Sequence, residues 1–390
     1  MEKRPQSSDA QNLPGAVSIY SSSVPPASPQ LQQHSSHSSS IYNNIAEESD
    51  TKHSTALLTA KNLASLHPDQ PWDRESGCYD GESLSSSSTS QTEYSDPDIA
   101  YFGSPGFMGL LGDYGSFMDE SCDGISDESK ELCSALIECS RSVPDDTAFE
   151  PDRLSKFVKR LRSINEAMVS RELAPLLIPS LTSRIVRGAQ NLEVLAEAVD
   201  ELWHSSVPLF GHRPKPDYSL GFGKLAFTPA QRVKLAQFKL PSIDTLPAEQ
   251  GGSYTMATGA MYFPFFTGEI KRASGRLDIA DLQNTESATI ALQGLIRLLR
   301  AANREMEAHR QTLFFSIAHT EKIVSIYGYY PVIQEENTFY HCHLIKEYFI
   351  FADGGLQRWQ SYMFVKNLQD NFAPKLRNLI STAIDDLITD

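Results

Sequence analysis

The sequence contains the segment Tyr262-Phe263-Pro264-Phe265-Phe266-Thr267-Gly268-Glu269-Ile270-Lys271, an aromatic run that ends in alternating polar and apolar residues. Aromatic residues favour strands, so the run predicts a β-strand. Side chains alternate between the faces of a strand, so Glu269 and Lys271 point the same way while Ile270 points into the core. The sequence therefore predicts a carboxylate and an ammonium group side by side at a strand end.

The spacing Asp/Glu-x-Lys also arises by chance, so its structural context decides its meaning. The chain contains it at Asp50-Thr51-Lys52, Glu128-Ser129-Lys130 and Glu269-Ile270-Lys271. Only the third copy follows strand-like sequence. We interpret the first two copies as coincidental.

A second carboxylate opens another predicted strand, Asp217 to Phe222, directly after Pro216. Mg²⁺ prefers oxygen ligands, usually one or two carboxylates together with water and substrate. We therefore predict Asp217 and Glu269 as ligands of Mg²⁺ or Mn²⁺, with the Ile270 carbonyl as a third oxygen. Lys271 would polarise the attacking water or stabilise the charge on a phosphate. This site requires the two strands to be adjacent.

Hydrophobic periodicity predicts the other elements. The predicted helices are an amphipathic helix with a basic flank from Asp152, a helix over Ala189 to Trp203, a short helix from Pro229, a long helix from Leu277 to about Arg310, and a closing helix over Lys375 to Ile388. The predicted strands lie near residues 313–318, 323–329 and 339–351. This order predicts an α/β core in which helices cover both faces of a sheet.

The N-terminal third differs from the rest in composition. Serine-rich blocks with Pro, Gln and Asn bury too little apolar surface to offset the entropy of ordering, so we predict a disordered tail over residues 1–130 and a folded domain over residues 131–390. Residues 1–150 carry 24 acidic and 7 basic side chains, a net charge of −17, whereas residues 151–390 carry 25 and 27, a net charge of +2. The acidity of the whole chain therefore does not exclude a nucleic-acid partner for the domain.

Several features indicate the compartment. No apolar run reaches the ~18 residues of a membrane span, and the first residues lack the apolar region of a secretory signal. The five cysteines are scattered and form no CxxC pair, which is typical of reduced thiols. We expect an intracellular protein, cytoplasmic or nuclear, without a membrane partner.

Four blocks carry a resemblance to a known family: Arg213-Pro214-Lys215-Pro216-Asp217-Tyr218-Ser219-Leu220-Gly221-Phe222, Pro264-Phe265-Phe266-Thr267-Gly268-Glu269-Ile270-Lys271, Asp278-Ile279-Ala280-Asp281-Leu282-Gln283-Asn284 and Ile326-Tyr327-Gly328-Tyr329-Tyr330-Pro331. Over about residues 150–388 the chain resembles a family of uncharacterised fungal proteins assigned to the PD-(D/E)xK nuclease superfamily. The resemblance implies the restriction-endonuclease-like fold, a mixed sheet flanked by helices, and metal-dependent hydrolysis of DNA or RNA.

The resemblance also implies roles for individual residues. Asp217 and Glu269 match the metal ligands, and Lys271 matches the catalytic lysine. Gln283 stands where related nucleases place a helix residue that orients the site. A helix ahead of the sheet can add an acid, and Glu166 is the candidate in this chain.

Other patterns leave alternatives open. Arg297, Arg300 and Arg304 form either a nucleic-acid contact or a solvated basic ridge. The strand segment His341-Cys342-His343 offers either a zinc-binding histidine pair, without two further ligands nearby, or two exposed histidines.

The aromatic segment 100–118 is either a partner-binding element or an apolar patch that contacts the domain. The alternative function built on it is a non-catalytic interaction or scaffold protein, which uses a nuclease-like fold and the tail segment as its protein-binding element.

Overall fold

The computed structural model describes residues 101–104, 106–239, 251–272 and 275–388. The strands within these ranges are β1 Ser116–Phe117, β2 Leu195–Val199, β3 Tyr218–Phe222, β4 Tyr262–Ile270, β5 Phe314–His319, β6 Ile323–Gln334 and β7 Asn337–Phe349. The α-helices are α1 Phe107–Asp113, α2 Asp127–Glu138, α3 Pro151–Leu161, α4 Glu166–Glu172, α5 Ala174–Leu177, α6 Leu181–Val186, α7 Pro229–Leu235, α8 Leu277–Ala301, α9 Gln360–Asn367 and α10 Ala373–Asp386. A π-helical turn, Leu368–Phe372, joins α9 to α10. None of the described helices is long and apolar enough to cross a membrane.

The seven strands form one mixed sheet in the order β1-β7-β6-β5-β4-β3-β2. β4 runs parallel to β5, and β1 runs parallel to β7, while the other neighbouring strands are antiparallel. The parallel pair β4 and β5 is linked through α8, as a parallel connection requires. The aromatic run predicted as a strand is β4, and it lies inside the sheet with a neighbour on each side.

Helices cover both faces of the sheet at β4 and β5. Thr267 of β4 donates to Asn284 of α8 through its hydroxyl, with 2.6 Å between the oxygens, so this face of β4 is the α8 face. Phe315 of β5 points to the other face and contacts the rings of Phe364 in α9 and Phe372 in the π-helical turn. The mixed α/β sheet flanked by helices that the sequence predicted is therefore confirmed.

The long helix ends earlier than expected. α8 stops at Ala301 instead of near Arg310, and Asn303 follows it with a φ of 56°. Asparagine tolerates this left-handed conformation, which commonly terminates helices. A 3₁₀ turn, Glu305–Ala308, then leads to β5.

The helix predicted over Ala189 to Trp203 is wrong. A 3₁₀ segment, Gln190–Val194, is followed by β2, which pairs along its whole length with β3. Leu195 and Ala198 of β2 are buried, whereas Val199 at its end is 63 % exposed. Pairing with β3 outweighs the helix preference of Leu, Ala and Glu in this segment.

Folded structure begins before residue 131, the boundary expected for the domain. α1 buries Phe107 and Leu111, and β1 pairs with β7. The Ser116 hydroxyl lies 2.7 Å from the Thr289 hydroxyl of α8, a buried hydrogen bond. In the described part of segment 100–118, several apolar side chains therefore pack on the domain. Residues 1–100, the larger part of the tail predicted over residues 1–130, lie outside the described residues.

Candidate functional site

A cleft of about 310 Å³ opens where β4 ends, between β3, β4 and α8. The five residues predicted for the active site all line it: Glu166, Asp217, Glu269, Lys271 and Gln283. These residues come from parts of the chain as distant as α4 and α8. The fold therefore brings the predicted catalytic and metal-binding side chains to one place.

Backbone hydrogen bonds fix the position of Asp217 relative to β4. Tyr218 pairs with Gly268 in the antiparallel β3–β4 ladder, which places Asp217 opposite Glu269. An Asp217 carboxylate oxygen accepts from the Ile270 amide at 2.7 Å. The Lys271 amide in turn donates to the His319 carbonyl at 2.9 Å, which ties the end of β4 to β5. The two carboxylates thus stand at neighbouring strand ends, as the predicted site required.

Burial shapes the electrostatics of the cleft. Glu269 is 3 % exposed and Lys271 is 8 % exposed. Burial raises the pKa of Asp217 to about 6, although the Ile270 amide and the Lys271 ammonium both favour its charged form. Asp217 therefore holds its proton more tightly than an exposed aspartate does. A cation bound to Asp217 would displace that proton.

Glu166 and Gln283 reach the cleft from two different helices, α4 and α8. Glu166 is exposed at the start of α4, where Asn165 caps the helix by accepting from the Met168 amide. A Glu166 carboxylate oxygen accepts from the Arg272 amide at 3.1 Å, just beyond the Glu269-Ile270-Lys271 triplet. Gln283 lies in the second turn of α8, on the side facing the strand ends.

Glu286 is a cleft residue that the sequence analysis missed. It lies one turn after Gln283 on the same face of α8 and is 1 % exposed. Neither carboxyl oxygen has a hydrogen-bond partner among the described residues. Burial raises the pKa of Glu286 to about 8, so it carries a proton at neutral pH. The available signal was the polar run Gln283-Asn284-Thr285-Glu286-Ser287 inside an otherwise apolar helix.

The remaining wall of the cleft comes from the loop before β3 and from the N-terminal segment. The residues it contributes are Phe102, Asp200, His212, Pro214 and Lys215. Lys215 forms an ion pair with Asp200 at 2.6 Å. The His212 ring packs against Tyr101, with ring centroids 4.4 Å apart. The packed N-terminal segment therefore forms part of the cleft.

The donor chemistry of the cleft fits a hard divalent cation. Five carboxyl groups line it against two lysine ammonium groups. Among the described residues, however, no three His, Cys, Asp or Glu side chains are grouped so as to hold a metal ion on their own. A cation held by two carboxylates, with water and substrate as the other ligands, agrees with both observations.

The predicted histidine pair has other contacts. His343 Nδ1 lies 2.7 Å from a Glu120 carboxylate oxygen, and His341 Nδ1 lies 3.0 Å from the Asp119 carbonyl. Each imidazole therefore contacts the loop after β1. The zinc alternative gains no further ligand in the described parts of the chain.

The three arginines predicted as a nucleic-acid contact do not form one ridge. Arg297 and Arg300 on α8 line a second groove, of about 560 Å³. Arg304 lies beyond the end of α8, where it forms ion pairs with Glu307 at 2.6 Å and Asp386 at 2.9 Å. The charge of Arg304 is therefore balanced by these two carboxylates. Arg304 does not share a surface with Arg297 and Arg300, as a common nucleic-acid contact would require.

Comparison with known proteins assigns the chain to a family without assigning an activity. No curated protein matches the sequence. The family model described as "Domain of unknown function (DUF7924)" matches residues 153–384, from α3 to α10, and so contains both carboxylate-bearing strands and α8. The chain therefore belongs to the DUF7924 family.

Proposed function

We propose that this protein is a Mg²⁺- or Mn²⁺-dependent nuclease that hydrolyses phosphodiester bonds of DNA or RNA on a restriction-endonuclease-like core. One observation carries the proposal: Asp217 and Glu269 stand at adjacent strand ends, and Lys271 and Gln283 line the same cleft. Metal-dependent phosphodiester hydrolysis uses a bound cation and a positively charged side chain beside the phosphate, because negative charge builds on the phosphate while water attacks.

Asp217 and Glu269 would hold the cation, since both present carboxylates to the cleft. When bound, Mg²⁺ or Mn²⁺ supplies Lewis-acid stabilisation of the phosphate and makes a water molecule more acidic. The Lys271 ammonium, on the same face of the strand end as Glu269, stabilises the negative charge of the phosphate. Gln283 contributes an amide that orients water or substrate.

Two further acids support this assignment. Glu286 is protonated at neutral pH, so its O–H group can donate a hydrogen bond to a phosphate oxygen, which an ionised carboxylate cannot do. Glu166 is exposed at the rim, where it can bind a water molecule or a second cation.

The proposal also includes the cellular compartment in which the protein acts. The described cysteines, Cys122, Cys133, Cys139 and Cys342, are free thiols, which suits a reducing compartment such as the cytoplasm or nucleus.

The scaffold alternative relied on segment 100–118 as a partner-binding element. Within the described part of that segment, Phe102, Phe107 and Leu111 are buried against the domain. These three side chains are therefore not displayed to a partner, whereas Met108, Leu110, Tyr114 and Phe117 of the same segment are exposed.

The test is cleavage of DNA and RNA by the full chain in Mg²⁺ or Mn²⁺. We expect Glu269→Gln and Lys271→Met to lose about 100-fold or more of the activity, because each removes charge needed in the transition state. Glu131→Gln and Lys130→Met serve as controls, since both residues are exposed on α2 and Lys130 belongs to a coincidental Glu-x-Lys triplet. Equal cleavage by all four variants, or no metal-dependent cleavage by the wild type, would refute the proposal.

A further inference from the structure

A groove of about 560 Å³ lies at the C-terminal half of α8. Its floor is α8, and its sides come from β7, from the residues after α7 and from the loop around Tyr254. A volume in this range suits a ligand of the size of a mononucleotide.

The groove is cationic. Lys239, Arg297 and Arg300 line it, and no aspartate or glutamate occurs among its described lining residues. The positive charge is therefore not balanced within the groove. This contrasts with the catalytic cleft, where carboxyl groups outnumber ammonium groups.

Both guanidinium groups are held in position. The Arg297 guanidinium lies over the Tyr254 ring, 3.9 Å from its centroid, and makes no hydrogen bond or ion pair with the other described residues. Arg300 donates to the Thr338 hydroxyl at 3.0 Å, which uses only one of its N–H groups. Two oriented guanidinium groups present N–H pairs that match phosphate oxygens, and this preorganisation lowers the entropic cost of binding.

An aromatic surface adjoins the cations. Tyr114 lines the groove and is 43 % exposed, so part of its ring faces solvent. Every nucleobase offers a flat face that stacks on an aromatic ring. The groove thus combines a phosphate-binding group with a stacking surface.

The groove is distinct from the catalytic cleft. Glu286 and Arg297 lie on the same face of α8, about 16 Å apart along the helix at 1.5 Å per residue. Between them α8 contacts β1, whose Ser116 hydroxyl forms a hydrogen bond with the Thr289 hydroxyl. Occupancy of the groove therefore does not depend on the chemistry of the cleft.

We propose that this groove is a nucleotide-binding site, in which Lys239, Arg297 and Arg300 bind the phosphate and Tyr114 stacks on the base. The nucleotide is either a free mononucleotide or one residue of a polynucleotide strand, because both present the same phosphate and base. The inference goes beyond the proposed nuclease activity and stands without it.

Calorimetric titration of the full chain in EDTA tests the inference, since EDTA removes divalent cations and suppresses metal-dependent cleavage. The probes are adenosine monophosphate, inorganic phosphate, adenosine and a ten-nucleotide single strand. We expect adenosine monophosphate or the single strand to bind more tightly than phosphate alone, and adenosine, which lacks the phosphate, to bind at least tenfold more weakly than whichever of these two probes binds. Binding of the monophosphate indicates a free nucleotide, whereas binding of the single strand alone indicates a polynucleotide.

Variants locate the site. Arg297→Gln and Arg300→Gln should each weaken binding at least tenfold, whereas Arg187→Gln, which removes an exposed arginine outside the groove, should leave affinity within twofold of wild type. Glu269→Gln should also bind normally, which separates this inference from the nuclease proposal. Thermal denaturation shows whether each variant is folded. If the Arg300 variant is unstable, the Arg297 variant alone tests the inference, because Arg297 is exposed. The inference is overturned if neither nucleotide probe binds at millimolar concentration, or if the Arg297 variant binds as wild type does.

Discussion

Glu286 is the most unusual single residue in the cleft, because both of its carboxyl oxygens are buried without a hydrogen-bond partner among the described residues. A buried carboxyl avoids the cost of desolvating a charge by keeping its proton, and the pKa of Glu286 accordingly rises from 4.5 to about 8. The unfolded chain has no such environment. Between pH 4.5 and 8 the unfolded state therefore ionises Glu286 while the folded state does not.

This difference makes the stability of the protein fall as pH rises through that window. The unfolded state binds fewer protons at Glu286 than the folded state does, so the free energy of unfolding decreases with increasing pH. Glu286→Gln removes this loss because glutamine does not ionise. We expect the variant to gain about 3 kcal/mol relative to wild type between pH 5 and pH 7.5, at about 1.4 kcal/mol for each pH unit inside the window. Urea denaturation at the two pH values measures the change.

The control is Glu131→Gln, an exposed glutamate on α2. It should follow the wild-type pH dependence closely. A constant difference between Glu286→Gln and wild type across the pH range would show that Glu286 ionises similarly in the folded and unfolded states.

Among the elements, β4 was predictable and β2 was not, for physical reasons. β4 combines an aromatic run with alternation, and both favour a strand whatever lies beside it. β2 has the sequence Leu-Ala-Glu-Ala-Val, in which Leu, Ala and Glu favour helix, and its pairing with β3 makes it a strand. Asp217, Glu269 and Lys271, at the ends of β3 and β4, were therefore predictable from local sequence and the family resemblance. Glu286 was not, because its role depends on how α8 packs against the strand ends.

The packing of α8 also depends on Gly294, in the middle of the helix. A Cβ atom at Gly294 would lie 1.8 Å from the Tyr254 carbonyl oxygen, a backbone atom that cannot move alone. We expect Gly294→Ala to destabilise the protein by about 1–3 kcal/mol, as overpacking of a tight contact does. Because Tyr254 also stacks with Arg297, the variant should distort the nucleotide groove as well.

Gly109→Ala is the matched control for this substitution in urea denaturation. Gly109 lies in α1, and a Cβ atom there meets nothing within 4 Å. Alanine also favours helix over glycine by up to about 1 kcal/mol. We expect this variant to be as stable as wild type or more so. Equal stability of the two alanine variants would contradict the close approach of α8 to the Tyr254 loop.

At the scale of the whole molecule, the central question is where the folded unit begins. Composition placed the boundary at residue 131, because the serine-rich blocks before it bury little apolar surface, and the apolar residues of segment 100–118 were left as either a partner-binding element or a contact with the domain. The structure uses those apolar residues: Phe107 is 1 % exposed and contacts the rings of Phe102 and Phe210. Composition is an average over many residues. It therefore does not show that a few apolar side chains in a short segment pack against the surface of the domain.

Truncation of Phe107 tests this boundary. We expect Phe107→Ala to lower the free energy of unfolding by about 3–5 kcal/mol, the usual cost of removing a buried aromatic ring. The neighbouring Met108 is 58 % exposed, so Met108→Ala should cost little. If the segment were a detachable binding element, both substitutions would leave the urea midpoint of the domain unchanged.

In the proposed nuclease, Asp217 and Glu269 together hold a divalent cation. Titration of the full chain with Mn²⁺, with the free ion followed by electron paramagnetic resonance, measures this binding. We predict saturable binding to wild type and to Glu131→Gln, with at least tenfold weaker binding to Asp217→Asn and Glu269→Gln, because each loses one of two charged ligands. Undiminished Mn²⁺ binding by both cleft variants, or no saturable binding by the wild type, would contradict the claim.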